Sequence, residues 1–286
     1  MASFRETAPV VCCPSLPDGA RIRRADVLAA LDRPDRLEID IVYEATEERA
    51  DESAAMIGAL RPESPIELWA GEDQLFSGAV ERRTLRSDRY GTYLSAVAYS
   101  GYQFRRDVKS HDVYHRMSDS EIAAQLAEEL GLEADVDRSN LIHERLERRE
   151  DPLEFLRERA RAEGFQLAIG SGRLHFRRQL EPNAGGLRAV DRRTGVRELE
   201  LSDRGWRGRG GRLRVWGDAT WRPLDELDLS SYGPAWDGRY LIVRCRHFVD
   251  SGGFDTEAEF LEEGADVAAW RGEVSAPADT SAGGQR

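Results

Sequence analysis

The 286-residue sequence predicts an α+β protein, mainly β, in which two β-domains flank a segment of two helices and a β-hairpin. Three observations predict it. Apolar and polar residues alternate with period two through much of residues 1–105 and 212–272. Two capped helical stripes lie between them, within residues 106–180. The two outer stretches also resemble each other. Each runs from a Trp-bearing strand through an aromatic-x-Gly step into a long hairpin.

The elements follow in order. Pro9 to Cys13 is a short apolar run closed by the turn Pro14-Ser15-Leu16-Pro17-Asp18-Gly19. From Arg36 to Tyr43, Leu37, Ile39 and Ile41 face one way and Glu38, Asp40 and Val42 the other. Glu44 to Glu52 is acidic and polar and reads as a loop with at most a helical turn. Ile66 to Trp69 alternates again. Phe76 to Leu85 and Thr92 to Tyr99 read as a hairpin around residues 87–91. Ser118-Asp119-Ser120-Glu121 is a capping box, followed by Ile122, Leu126 and Leu130 on one face and a stop at Gly131. Asp151 caps a second helix with Pro152 in its first turn. Leu153, Leu156 and Ala160 form its apolar stripe, and Gly164 ends it. Phe165, Leu167 and Ile169 then alternate, turn at Gly170-Ser171-Gly172, and return through Leu174 and Phe176. Residues 181–211 read as irregular, with Val196 to Leu201 a strand candidate. The composition of residues 276–286 predicts disorder. The expected division is 1–105, 106–185, 186–272, and a disordered tail over 273–286.

In the internal likeness, Ile66-Glu67-Leu68-Trp69 matches Leu213-Arg214-Val215-Trp216, and Phe76-Ser77-Gly78 matches Trp236-Asp237-Gly238. Convergence between two β-meanders would produce such a likeness. So would duplication, with the helical segment inserted between the copies.

Composition excludes several function classes. No apolar run approaches the ~18 residues of a membrane-spanning helix. Lys and Arg total 41 against 53 Asp and Glu, a net charge of −12, which disfavours stable binding to nucleic acid or anionic membranes. Three cysteines form no paired framework, and MASFRETAPV lacks the apolar core of a secretory signal. Folding in a reducing compartment is therefore expected.

No local pattern carries chemistry. His111 and His115 have HxxxH spacing, but they precede the Ser118 cap, where a helix is not expected, and nothing completes a metal site. His143 stands apart from other ligand types. His175 and His247 lie beside aromatics in strand-like runs and read as structural. Cys12 and Cys13 point to opposite faces of a strand, and Cys245 reads as a buried small apolar residue. No GxSxG, P-loop or dinucleotide fingerprint occurs, and no pair of carboxylates is singled out. Arg204, Arg207, Arg209, Arg212 and Arg214, with Trp206 and Trp216, form one basic-aromatic cluster. It reads as a Gly-rich loop or a subunit interface. Neither an enzyme nor a cofactor is expected.

Residues 151–165, Asp-Pro-Leu-Glu-Phe-Leu-Arg-Glu-Arg-Ala-Arg-Ala-Glu-Gly-Phe, followed by Leu174-His175-Phe176, resemble the signature block of the phage late control protein D family. That family contains baseplate hubs of contractile phage tails, the hub part of type VI secretion spike proteins, and hubs of contractile injection systems. Leu75-Phe76-Ser77-Gly78 is similar to the family's first-barrel hairpin. Residues 237–243, with Arg246-His247 and residues 253–256, are similar to its final hairpin. The blocks keep the family's order over residues 9–262.

The resemblance implies two tail-tube-like β-barrel domains, 1–105 and 186–272, separated by the α+β segment. It implies a structural hub forming a homotrimer that presents six tube-like units to a sixfold tail tube and a threefold face to a spike. A closed ring would pair exposed sheet edges with the next subunit. The implied partners are the tube protein, baseplate wedge proteins and a spike protein. The spike is expected as a separate chain, because nothing after the second β-domain resembles an OB-fold or a β-helical needle. The resemblance gives structural roles to Phe76, Gly78, Trp236 and Gly238 as hinges, and to Phe155, Gly164 and Phe165 of the signature block. The competing readings are a cell-wall hydrolase at a tail tip and the hub of a non-contractile tail.

Overall fold

The structure, a computed structural model, describes residues 11–18, 20–43, 50–89, 91–101, 111–170, 172–203, 205, 208–263 and 265. Its first unit comprises β1 (Val11–Cys12), β2 (Ile22–Ala30), β3 (Arg33–Val42), α1 (Ala50–Ala59), β4 (Pro65–Ala70), β5 (Asp73–Asp88) and β6 (Gly91–Tyr99). The strands pair antiparallel in the order β1-β4-β5-β6-β3-β2. Leu37, Ile39 and Ile41 are fully buried, as their alternation predicts, and they pack with Ile66, Leu68, Phe76 and Val80.

The middle segment holds β7 (Asp112–Tyr114), β8 (Met117–Ser118), α2 (Asp119–Glu129), β9 (Glu133–Val136), β10 (Ile142–His143), β11 (Leu146–Arg148), α3 (Pro152–Glu163), β12 (Gln166–Gly170) and β13 (Arg173–Arg177). Both helices start and stop where their caps dictate. The Ser118 hydroxyl accepts from Glu121 N, and the Glu121 carboxylate accepts from Ser118 N at 2.7 Å. Asp151 accepts from Leu153 N at 2.9 Å, and Gly164 closes α3 at φ 69°. Phe155, Leu156, Phe165 and Phe176 centre a second core.

The last unit comprises β14 (Leu187–Val190), β15 (Val196–Asp203), β16 (Arg209–Trp216), β17 (Glu226–Leu229), β18 (Gly238–Asp250) and β19 (Gly253–Glu262). Its strand order, β14-β17-β18-β19-β16-β15, repeats that of the first unit position for position. Irregularities repeat too. The register shift at Val80/Arg82 in β5 recurs at Ile242/Arg244 in β18, and that at Ile22/Arg24 in β2 recurs at Val196/Glu198 in β15. Asp88 pairs with Gly91 across one hairpin end, as Asp250 pairs with Gly253 across the other. One pairing differs in sense: β1–β4 is antiparallel and β14–β17 parallel.

This topology corrects the sequence alignment of the repeat. Trp69 lies in β4, beside the first arm of its hairpin, whereas Trp216 lies in β16, beside the second arm. The counterpart of β4 is β17. Counted from the hairpin ends, Phe76 corresponds to Gly238 and Gly78 to Tyr240, so the two aromatic-x-Gly steps do not superpose. Two local readings also change, and one strand is added. Residues 50–52 belong to α1 and not to a loop. Leu187–Val190 and the start of β16 replace an irregular stretch. Ile22–Ala30 is a full strand. The expected tail at 273–286 lies outside the described residues, as do residues 44–49.

The two units share one continuous twelve-stranded sheet. Strand β2 lies against β18, Ala25 opposite Val249 through Ala30 opposite Arg244. Among the described residues this pairing closes neither unit on itself. The middle segment docks at the seam, where Ile169 N donates to Leu31 O at 2.8 Å.

Candidate functional site at the seam and the strand edges

The seam forms because β18 is long. Its first four residues, 238–241, pair with β17, and residues 244–249 pair with β2. Alternation then sorts the side chains. On the inner face, Cys245 and His247 are buried beside Val27 and Ala29. With its ring neutral, His247 donates from Nε2 to the Trp221 carbonyl at 3.1 Å, and Nδ1 lies 3.1 Å from the Thr256 hydroxyl. Burial, reinforced by Arg222, pulls its pKa down to about 4. Burial pushes the Cys245 thiol far up. Both residues are buried, as their settings in the sequence predict.

On the outer face, charges alternate in sign from strand to strand. Arg212 pairs with Glu257, Arg214 with Asp255 at 2.5 Å, and Arg244 with Glu259 at 3.2 Å. Arg246 reaches across the seam to Asp26. Of the basic-aromatic cluster, Arg209, Arg212, Arg214 and Trp216 therefore belong to strand β16, and the three arginines are matched by acids on β19. Arg204, Trp206 and Arg207 lie outside the described residues. Trp216 stands 60% exposed, with the Arg197 guanidinium 4.3 Å from its ring centroid.

The seven residues singled out in the sequence do not converge. Phe76 is buried in the first core, and Gly78 sits opposite Ile66. Trp236 is half-buried, its carbonyl accepting from the Tyr240 hydroxyl at 2.7 Å, and Gly238 opens β18 at φ 151°. Phe155 stacks on Tyr114 at 5.9 Å, and Phe165 packs on Phe176 at 5.1 Å just after Gly164.

One cluster was not read in the sequence. Asp119, fully buried, accepts from Arg159 Nε at 2.7 Å and Nη2 at 2.9 Å, and lies 3.1 Å from His143 Nε2. It ties α2, α3 and β10 together. Spacings of 24 and 40 residues leave no local signal for it. His111 and His115 flank strand β7 and are exposed. Among the described residues no group of three His, Cys, Asp or Glu could hold a metal ion. The described helices include none long and apolar enough to cross a membrane. An open cleft of about 450 Å³ lies beside Cys12, Cys13, Asp18 and Val249. Burial pushes the Cys13 thiol up to about 11, so it supplies no thiolate nucleophile.

No protein-family model matches the chain, and no curated protein sequence matches it. Solved structures do. The fold is similar to that of the 43 kDa tail protein of prophage MuSo2 from Shewanella oneidensis. There the TM-score is 0.65 at 12% identity, over 89% of this chain and 97% of that one. It is similar to a tail protein from Neisseria meningitidis MC58, with TM-score 0.64 and 13% identity over 90% and 97%. It is also similar to the E. coli c3393 protein, a type VI secretion component with structural similarity to the T4 tail proteins gp27 and gp5. That match has TM-score 0.62 and 9% identity over 88% and 76%. The chain thus has a mainly β tail-protein fold, shared by phage tails and type VI secretion.

Proposed function

We propose that this protein is the structural hub of a contractile phage tail or phage-tail-like injection system. In this reading three copies close a ring of six tube-like units, with 1–105 and 186–272 as the two tube-like domains and 106–185 between them. One face of the ring meets the sixfold tube, and the other seats a threefold spike carried on a separate chain. The work is geometric and needs no catalysis or cofactor. It requires large permanent interfaces, also toward the baseplate wedge proteins.

The observation that carries this reading is the matching strand order of the two units, which differ only in the sense of their outermost pairing. A chain holding two equivalent units converts threefold symmetry into sixfold symmetry without a second gene product. The similarity to tail proteins over nearly the whole of this chain supports it. Phe76, Gly78, Trp236 and Gly238, with Phe155, Gly164 and Phe165, then act by fixing the shape of the units. The test is co-expression with a tail-tube protein and a spike protein from the same source. Co-purification with both, in one particle, is expected. A chain that binds neither overturns the proposal.

A further inference from the structure

The two units share a strand order but not their surroundings. In the second unit, the edge of β18 at residues 244–249 is covered by β2. In the first unit, the matching edge of β5, residues 82–87, has β6 on one side, and β4 ends before reaching it. The consequence shows at one pair of positions. His247 is 2% exposed, whereas its counterpart Leu85 is 58% exposed. Conversely β2, which covers β18, has as its counterpart β15, which pairs only with β16 among the described residues. Among the described residues, β15 and residues 82–87 of β5 therefore repeat, unjoined, the two edges that β2 and β18 join at the seam.

We infer that β15 of one copy pairs antiparallel with residues 82–87 of β5 in the next copy, in the register of the β2–β18 seam. The inference rests on the ring proposed above and specifies how it is held. The register follows from the matched irregularities of the strands. Ala25 opposite Val249 becomes Leu199 opposite Ser87, Asp26 opposite Phe248 becomes Glu200 opposite Arg86, and Val27 opposite His247 becomes Leu201 opposite Leu85. Side chains agree with it on both faces. Leu85 is opposite buried Leu94 within its own sheet, and Leu201 packs against the second unit's core, so the two leucines extend one apolar row. On the other face, exposed Arg86 of β5 stands opposite exposed Glu200 of β15. A slip of one residue would put leucine against charge. Because the two edges differ, the contact is head-to-tail, which a ring can close.

The test places Leu85→Cys and Leu201→Cys in a Cys12→Ser background and applies a short bis-maleimide. A ladder of intermolecular cross-links is expected. The pair Leu85→Cys with Glu200→Cys, on opposite faces, should cross-link far less. Independently, Arg86→Glu should weaken self-association about tenfold or more, and Glu200→Arg should restore it. If the unmodified chain assembles but the leucine pair does not cross-link, or both pairs react alike, this edge pairing is wrong and the hub reading stands. If the unmodified chain stays monomeric, both fall.

Discussion

Arg246 of β18 grips Asp26 of β2 through two hydrogen bonds, Nε to Oδ1 at 2.8 Å and Nη2 to Oδ2 at 2.5 Å, across 220 positions of the chain. The pair closes the seam that turns two units into one sheet. Its side chains are 28% and 11% exposed, between the surface regime, where ion pairs contribute little, and the buried one. Asp26→Ala should destabilise the fold by about 1–3 kcal/mol, and a double-mutant cycle with Arg246→Ala should return a coupling of about 1 kcal/mol or more. Urea unfolding of the four species measures both.

Asp119 answers to the buried regime. It holds Arg159 and faces His143 with none of its surface exposed. Asp119→Ala leaves the guanidinium without its partner and should destabilise by about 3 kcal/mol or more. Ser118→Ala removes only a cap from the same helix, and should cost about 1 kcal/mol. Thermal unfolding of the two variants should rank them in that order.

Two glycines should fail for different reasons. A Cβ at Gly78 would collide with the Tyr99 carbonyl oxygen on the neighbouring strand, so Gly78→Ala should destabilise by about 1–3 kcal/mol through strain between β5 and β6. Gly164 has open space around it but φ of 69°, so Gly164→Ala should cost about 1–2 kcal/mol from backbone strain alone. Hydrogen exchange distinguishes them. The first should loosen the sheet, the second the α3–β12 turn.

His247 makes stability depend on pH. Folding holds its pKa at about 4 against an ordinary 6.5, because burial and Arg222 disfavour the cation. The unfolded chain therefore takes up the proton first as pH falls. This contribution is fully present above pH 6.5 and is lost between 6.5 and 4, on the order of 3 kcal/mol in all. Urea midpoints at pH 7 and pH 4.5 should differ accordingly, and His247→Gln should flatten that part of the curve.

The sequence was readable where structure is local. Ser118 with Glu121 and Asp151 with Gly164 mark their helices because caps act within four residues. Leu37, Ile39 and Ile41 mark β3 because one face is buried. Reading failed where structure is not local. In β2, Arg23, Arg24 and Asp26 interrupt the pattern because Asp26 serves the seam. The acidic approach to α1 hides a helix start. The repeat was visible but misaligned, since the shared Trp motif falls on strands with different neighbours, and only pairing reveals that β4 matches β17. The Asp119 cluster joins three elements distant in sequence and had no local signature.

Native mass spectrometry of the purified chain over a range of concentrations tests the central claim most directly. The account predicts a closed species of three times the 32.2 kDa chain, with no open series of higher oligomers. A chain that remains a monomer throughout, or that stops at a twofold dimer, contradicts it.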